Sequence, residues 1–164
     1  MERKRAFDPV VDASTRLLIL GSLPGDASLK AGQYYGHPRN DFWRLVGGVI
    51  SVDLMVMPYP ERLVALKAAG IGLWDVIASA TRSGSLDTAI RDAETADLNR
   101  LIRELPSLRA IAFNGGTAAR IGRRYLVASA AVTLIDLPSS SPAHVRPVAE
   151  KAAAWAALQL VLFN

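Results

Sequence analysis

Residues 17–20 form an uninterrupted apolar run, Leu-Leu-Ile-Leu, that leads directly into the glycine- and proline-containing turn 21–25. Strands buried on both faces of a parallel sheet are apolar throughout, whereas strands with one solvent-facing side alternate apolar and polar residues. Residues 110–113 form a second run of this kind and end in the turn 114–116, Asn-Gly-Gly. The two runs therefore predict central strands of a mainly parallel sheet, with a turn at the carboxyl end of each.

The remaining segments predict an alternation of strands and helices. Two shorter apolar segments, residues 71–74 and 131–137, are predicted as further strands, and the polar stretch 80–97 as the longest irregular segment. This order predicts an α/β fold, a three-layer α/β/α sandwich formed by a single domain over residues 1–164. The predicted helices are 40–49, about 60–70, 95–105 and a helix after residue 116 that carries Ala119, Ile121 and Tyr125. A last helix is predicted from Pro147, and its Val148, Trp155, Leu158 and Leu162 are expected to face the sheet.

Composition restricts the available chemistry. The chain has no cysteine, which excludes disulfides, thiolate ligands and cysteine nucleophiles. His37 and His144 lie far apart without metal-ligand spacing, so neither a metal nor a cofactor is predicted. No long apolar run follows the basic start or occurs elsewhere, so we expect a cytoplasmic protein without a membrane partner. The formal net charge of +4 favours a polyanionic partner such as a nucleic acid.

Unusual residues follow each predicted strand. The turns after the first and third strands, Asp75 after the second, and residues 137–144 after the last all fall at the carboxyl edge of the sheet, where open α/β folds bind ligands. Residues 34–43 add two tyrosines, a histidine and an asparagine. Tyrosine faces can stack on a base, and a serine-rich turn with Arg146 nearby can hold a phosphate. These features predict an enzyme acting on a DNA base, and the fingerprints of dinucleotide, nucleotide triphosphate and serine-hydrolase sites are absent from the sequence.

Six segments, in order along the chain, resemble the uracil-DNA glycosylase superfamily, and most closely its hypoxanthine (deoxyinosine) DNA glycosylase branch. The resemblance implies a three-layer α/β/α sandwich around a four-stranded parallel sheet, in agreement with the predicted order of strands and helices. The segments are GSLPG at 21–25, YYGHPRNDFW at 34–43, LWDVI at 73–77, GSLD at 84–87, FNG at 113–115 and LPSSSPAH at 137–144.

Departures from the family pattern separate the branches. Mismatch-specific relatives have a catalytic asparagine in a Gly-Ile-Asn-Pro-Gly motif, and Leu23 stands at that position here. Their later Asn-Pro-Ser or His-Pro-Ser motif corresponds to Leu137 and the two residues after it. Asp75 replaces the asparagine that reads uracil, and an ionised aspartate offers only hydrogen-bond acceptors. The resemblance to the hypoxanthine branch implies a catalytic role for Asn40 and places Tyr35 where an aromatic ring stacks on the flipped base.

The predicted activity is hydrolysis of the N-glycosidic bond of deoxyinosine by a monofunctional glycosylase in base excision repair. Its partner is DNA containing deaminated bases, and we expect a monomer. The alternatives are a uracil or thymine mismatch glycosylase, a non-catalytic lesion-binding protein and a small-molecule hydrolase. Whether Asn40 orients water or contacts the base, and whether Asn114 binds the base or braces its loop, stay open. The predicted base-binding residues are Gly21, Ser22, Leu23, Tyr35, Asp75 and Asn114, and the predicted DNA-binding residues are Ser139, Ser140, Ser141, His144 and Arg146.

Overall fold

The computed structural model describes residues 2–163, so Met1 and Asn164, the two ends of the predicted domain, lie outside the described residues. The strands are β1 Arg3–Arg5, β2 Leu17–Gly21, β3 Ile71–Asp75, β4 Ile77–Arg82, β5 Ile90–Thr95, β6 Ala110–Asn114 and β7 Thr133–Leu137. The α-helices are α1 Asp26–Ala31, α2 Phe42–Ile50, α3 Tyr59–Ala68, α4 Leu98–Arg103, α5 Gly116–Tyr125, α6 Val148–Trp155 and α7 Gln159–Phe163. Short 3₁₀ helices occur at Leu54–Val56, Asp87–Ala89 and Ala156–Leu158.

Four parallel strands form the central sheet in the order β3-β2-β6-β7. All residues of β2 are buried, and β6 is buried up to Asn114, because helices cover both faces of the sheet. The uninterrupted apolar runs therefore predicted the central strands correctly, and the four-stranded parallel sheet between helical layers is confirmed. Because the strands are parallel, Gly21, Asp75, Asn114 and Leu137 all lie at the same edge of the sheet.

Side chains of the central strands alternate between two hydrophobic clusters, one on each face of the sheet. Leu17 and Ile19 belong to the cluster that includes Trp155, Leu158 and Leu162 from the last helical segment. The intervening strand residues pack on the opposite face, against α4 and α5. The prediction for the last segment was correct for these three residues and wrong for Val148, which is 39% exposed because it lies at the solvent-facing start of α6.

A second, antiparallel sheet, β1-β4-β5, corrects the prediction that residues 80–97 are irregular. The sequence pattern missed β5 because its residues are almost all exposed and polar, so no buried face marks the strand. Its pairing is also interrupted by register shifts against β4. The predicted helix 95–105 likewise begins too early, since Thr95 ends β5 and the Asp97 side chain caps α4 by accepting a hydrogen bond from the Arg100 amide. Long-range strand pairing decides the structure of this segment.

The helices of the described residues are neither long nor apolar enough for any of them to cross a lipid bilayer.

Candidate active site

A cavity of about 700 Å³ opens at the carboxyl edge of the central sheet. Its volume lies within the range of small-molecule sites, about 300–1,000 Å³. The turn after β2, the segment before α2, the end of β3, the 3₁₀ turn Asp87–Ala89 and the serine-rich segment after β7 all contribute to its wall. The predicted site residues that line the cavity are Gly21, Ser22, Leu23, Tyr35, Asn40, Asp75, Asn114, Ser139, Ser140, Ser141 and His144.

Arg146 is the predicted site residue that does not line this cavity. It is exposed just before α6, and its side chain pairs with Glu150 at 3.4 Å. Arg120 of α5 lines the cavity instead, four residues after the helix begins. The positive charge of Arg120 at the cavity wall therefore comes from α5, which follows β6, and contact between Arg146 and DNA stays a prediction.

Asn40 presents a hydrogen-bond donor at the cavity wall. Its Oδ1 accepts a hydrogen bond of 3.0 Å from the backbone N–H of Phe42, the first residue of α2. Of the two ends of the side-chain amide, only the oxygen can accept from an N–H, so this bond identifies the atom near Phe42 as Oδ1 and the other as Nδ2. Within the part of the chain that the structure describes, the Nδ2 group donates no hydrogen bond, so it remains available to a bound molecule.

Tyr35 has a strained backbone and a fixed ring. Its φ of 53° lies in the left-handed region, which costs a non-glycine residue about 1–2 kcal/mol. The ring stacks on Phe42 with centroids 3.9 Å apart and planes at 16°. One face of the ring is therefore covered, and a base could stack only on the other. The hydroxyl is buried, and burial together with the nearby Asp75 charge raises the Tyr35 pKa, opposed by the interaction of the hydroxyl with the Asn114 side chain.

Asp75 lies at the floor of the cavity, opposite Gly21 in the β2-β3 register. A β-carbon placed on Gly21 would lie 2.7 Å from Asp75 Oδ1 and 3.0 Å from the Tyr35 hydroxyl, so only glycine leaves room for both groups. Asp75 is 3% exposed, and its Oδ2 has no partner among the described residues. Burial, reinforced by the charge of Asp87 and opposed by that of Arg82, raises the pKa of Asp75 to about 7. Near neutral pH, both protonation states are populated.

The turn after β2 is held in place by buried and surface polar groups. Arg82, which is 2% exposed, donates to the backbone carbonyls of Leu23 and Pro24. The Ser22 hydroxyl donates to Asp87 at 2.7 Å. The Leu23 side chain is buried in the cluster on the α5 face of the sheet, so it contributes an apolar wall and its carbonyl is engaged. The turn therefore forms part of the cavity wall, and hydrogen bonds from Arg82 of β4 hold its backbone in place.

Asn114 braces the serine-rich segment. Its Nδ2 donates to the Ser140 hydroxyl, and its Oδ1 accepts from the Ser140 amide, both at 2.9 Å. The hydroxyls of Ser139 and Ser141 accept from backbone N–H groups two residues later and shape the turn. Because both ends of the amide are engaged, the geometry favours the bracing role that the sequence left open, and base contact by Asn114 stays a prediction.

Lys151 joins the serine-rich segment to the segment that carries Asn40. It is 1% exposed, its Nζ donates to the Ser141 carbonyl at 3.3 Å, and it lies 3.6 Å from Asp41 Oδ2. The Asp41 amide in turn donates to the Ser140 carbonyl at 3.0 Å. This buried ammonium group therefore fixes the distance between two walls of the cavity.

Lys151→Met should lower the free energy of unfolding by about 1–3 kcal/mol, because it leaves a buried carbonyl without its donor and the Asp41 carboxylate without one of its cations. Methionine retains most of the side-chain volume. Denaturant unfolding followed by tryptophan fluorescence measures the change. The matched control is Lys30→Met on the exposed surface of α1, for which we expect little change. Equal stability of the two variants would contradict a bridging role for Lys151.

Four residues at or beside the site are not predicted from the sequence: Asp87, Arg82, Arg120 and Lys151. Arg120 carried a signal, since it lies one turn into a helix that begins at the predicted ligand edge. Asp87 lies in a matched segment but follows no predicted strand. Arg82 and Lys151 are charged residues in a strand and a helix, and such residues are ordinarily solvent-exposed. Their burial depends on contacts between distant segments and cannot be read from local patterns.

No cluster of three or more metal-binding side chains is found within residues 2–163.

Comparison with known proteins gives consistent matches over nearly the whole chain. The family model of the uracil DNA glycosylase superfamily matches residues 9–159. Hypoxanthine DNA glycosylase of Methanosarcina barkeri (strain Fusaro) is 45% identical over 94% of this chain and 96% of the relative. The protein of the same name from Methanosarcina acetivorans is 44% identical over 94% of this chain and 97% of the relative. The NMR solution structure of a candidate uracil DNA glycosylase from M. acetivorans superposes with a TM-score of 0.84, at 42% identity, covering 99% of this chain and 100% of that one.

Proposed function

The chain belongs to the uracil DNA glycosylase superfamily, and from this premise we propose that it is a DNA glycosylase that removes hypoxanthine from deoxyinosine in DNA. The observation that carries the proposal is Asn40, a cavity-lining residue whose Oδ1 is engaged by the Phe42 N–H, which leaves its Nδ2 as the group that can donate to a base. Hypoxanthine carries acceptors at O6, N3 and N7, and one of these can receive the bond. The same fixed donor cannot remove a proton from water, so a base contact fits the geometry better than water activation.

The rest of the cavity suits a nucleotide turned out of the DNA duplex. Unstacking the base from the duplex costs free energy, and stacking and hydrogen bonding in the glycosylase pocket offset that cost. The uncovered face of Tyr35 provides a stacking surface, and the serine-rich segment supplies serine hydroxyls at the cavity wall. Arg120 and the first residues of α5 add positive potential there. These groups would hold the phosphates on either side of the extruded nucleotide.

The reaction is cleavage of the C1′–N9 bond and addition of water to C1′, which leaves an abasic site. Positive charge develops on the sugar as the bond breaks, and the neighbouring DNA phosphates stabilise that charge. The base departs with the electron pair of the bond, so hydrogen bonds from Asn40 that strengthen as negative charge grows on the base lower the barrier. None of the cavity-lining residues within the described chain is a lysine, in keeping with hydrolysis by water rather than by a covalent amine intermediate. We further expect the protein to act as a monomer in the cytoplasm.

A duplex oligonucleotide with a single deoxyinosine tests the proposal. With protein in excess, we expect strand breaks at the inosine position after hot alkali, which cleaves abasic sites. Parallel duplexes with uracil, with thymine opposite guanine and with xanthine define the lesion range. Tight binding to inosine DNA without cleavage would favour a lesion-binding protein instead, and cleavage of uracil alone would favour a pyrimidine glycosylase. Asn40→Ala, purified in the same way, controls for contaminating glycosylases.

A further inference from the structure

Asp75 is a buried carboxyl group in the cavity wall to which the reaction described above assigns no role. It lines the cavity and is 3% exposed, and its Oδ2 has no hydrogen-bond partner in the part of the chain that the structure describes. Burying an acid without a partner is costly, because the ionised form loses its hydration. A structural role would provide Asp75 with donors, as Asn114 and Lys151 are provided with partners. A base bound in this cavity is able to supply a partner for Oδ2.

The charges around Asp75 favour its neutral form. On the 3₁₀ turn, Asp87 repels the ionised carboxylate, and the Tyr35 hydroxyl in the segment before α2 is uncharged because burial raises its pKa. Arg82 of β4 is the opposing cation, but its guanidinium donates to the carbonyls of Gly84, Leu23 and Pro24 and makes no hydrogen bond to Asp75. The neighbouring β2 position is Gly21, which carries no charge. The carboxyl group can therefore serve as a donor, whereas the ionised form could only accept.

We propose that Asp75, in its protonated form, is a second catalytic residue, which donates its proton to N7 of the flipped hypoxanthine as the C1′–N9 bond breaks. The inference rests on the proposed function, because it requires a purine in this cavity. N7 is the most basic ring nitrogen of hypoxanthine, and it lies on the edge of the five-membered ring that holds the glycosidic bond. A pyrimidine has no equivalent nitrogen, so the same group contributes to the preference for purines.

The step balances without a further reagent. The carboxyl proton moves to N7, the electron pair of the C1′–N9 bond moves into the ring, and hypoxanthine leaves as a neutral molecule. Water adds to C1′ of the sugar cation, and the proton that it releases restores the Asp75 carboxyl group. General acid catalysis of this kind is worth about 10²–10⁴-fold in rate.

Asp75→Asn provides the test, because asparagine has nearly the same volume and still donates a hydrogen bond but cannot transfer a proton. We expect inosine DNA binding to change by less than about threefold and single-turnover excision to slow by about 10²–10⁴-fold. The pKa of Asp75 is about 7, and bound DNA phosphates raise it further. The wild-type rate constant should therefore be level at low pH and fall as the pH rises through and above neutrality, whereas the variant should show no such fall.

Asp87→Asn distinguishes a titrating acid from a structural one. It keeps the oxygen that accepts from Ser22 and removes only the charge that opposes ionisation of Asp75. The falling limb should therefore move to lower pH in this variant. A stability measurement gives an independent readout: because the folded pKa is raised above the unfolded value of 3.8, wild type should lose stability relative to Asp75→Asn as the pH rises from that value to about 7.

The outcomes separate the two proposals. If wild type does not release hypoxanthine, the proposed function fails, and the role of Asp75 fails with it. If wild type releases hypoxanthine but Asp75→Asn retains its rate, or slows with an unchanged pH profile, the proton-donor role alone is overturned. A wild-type profile that stays level through neutral and alkaline pH would overturn it as well.

Discussion

Asn40→Ala is expected to slow single-turnover excision of hypoxanthine by about 10²–10³-fold, the usual cost of removing one hydrogen-bond donor aimed at developing charge. The substitution deletes the Nδ2 donor at the cavity wall. It also deletes the acceptor for the Phe42 amide, which costs about 0.5–2 kcal/mol of stability at a helix start. Quenched time courses with protein in excess over inosine duplex measure the rate, and fluorescence anisotropy measures DNA binding, which we expect to be nearly unchanged.

Asn40→Asp is the matched control, because it separates the two roles of the amide. Its carboxylate still accepts from the Phe42 amide and sits at the start of α2, where negative charge is favourable. We therefore expect wild-type stability together with an excision rate as low as that of Asn40→Ala, since the donor has become an acceptor. Near-wild-type excision by Asn40→Asp would show that the amide donor is not catalytic and that only the helix start matters.

The sequence predicts the parts of this fold that follow from burial along one strand. Residues 17–20 and 110–113 are apolar throughout because both faces of the central sheet are covered, so their strands and the shared edge were predicted correctly. β5 could not be predicted in this way, because nearly all of its residues are solvent-exposed and its conformation depends on pairing with β4, whose opposite edge is held by β1. Local patterns carry no information about such pairings.

A similar division applies to the site. The positions of Asp75 and Asn114 were predictable, since each ends a parallel strand. Their chemical states were not. The raised pKa of Asp75 depends on burial and on Asp87, and the engagement of Asn114 depends on Ser140, in each case a residue distant in sequence. Sequence therefore identifies which groups meet at the sheet edge, whereas the structure decides which are free to act on a base.

Gly21→Ala is the substitution that should most directly close the floor of the cavity. The added methyl group would lie 2.7 Å from Asp75 Oδ1 and 3.0 Å from the Tyr35 hydroxyl, closer than van der Waals contact allows. Both neighbours would have to move toward the space of the base. We expect a loss of about 1–3 kcal/mol in stability from overpacking. Because displacements of about 1 Å at a reacting centre cost about 10²-fold in rate, excision should fall at least that far.

Gly48→Ala is the matched control for this steric argument. Gly48 lies in α2 on the exposed surface, and a β-carbon there meets no atom within 4 Å. Alanine favours the helix by about 1 kcal/mol over glycine, so this variant should be as stable as wild type or more stable, with unchanged excision. Single-turnover rates on inosine duplex, measured at temperatures where both variants are folded, separate a filled cavity from a weakened fold. Excision by Gly21→Ala at the rate of Gly48→Ala would mean that the base does not reach the floor formed by Gly21, Asp75 and Tyr35.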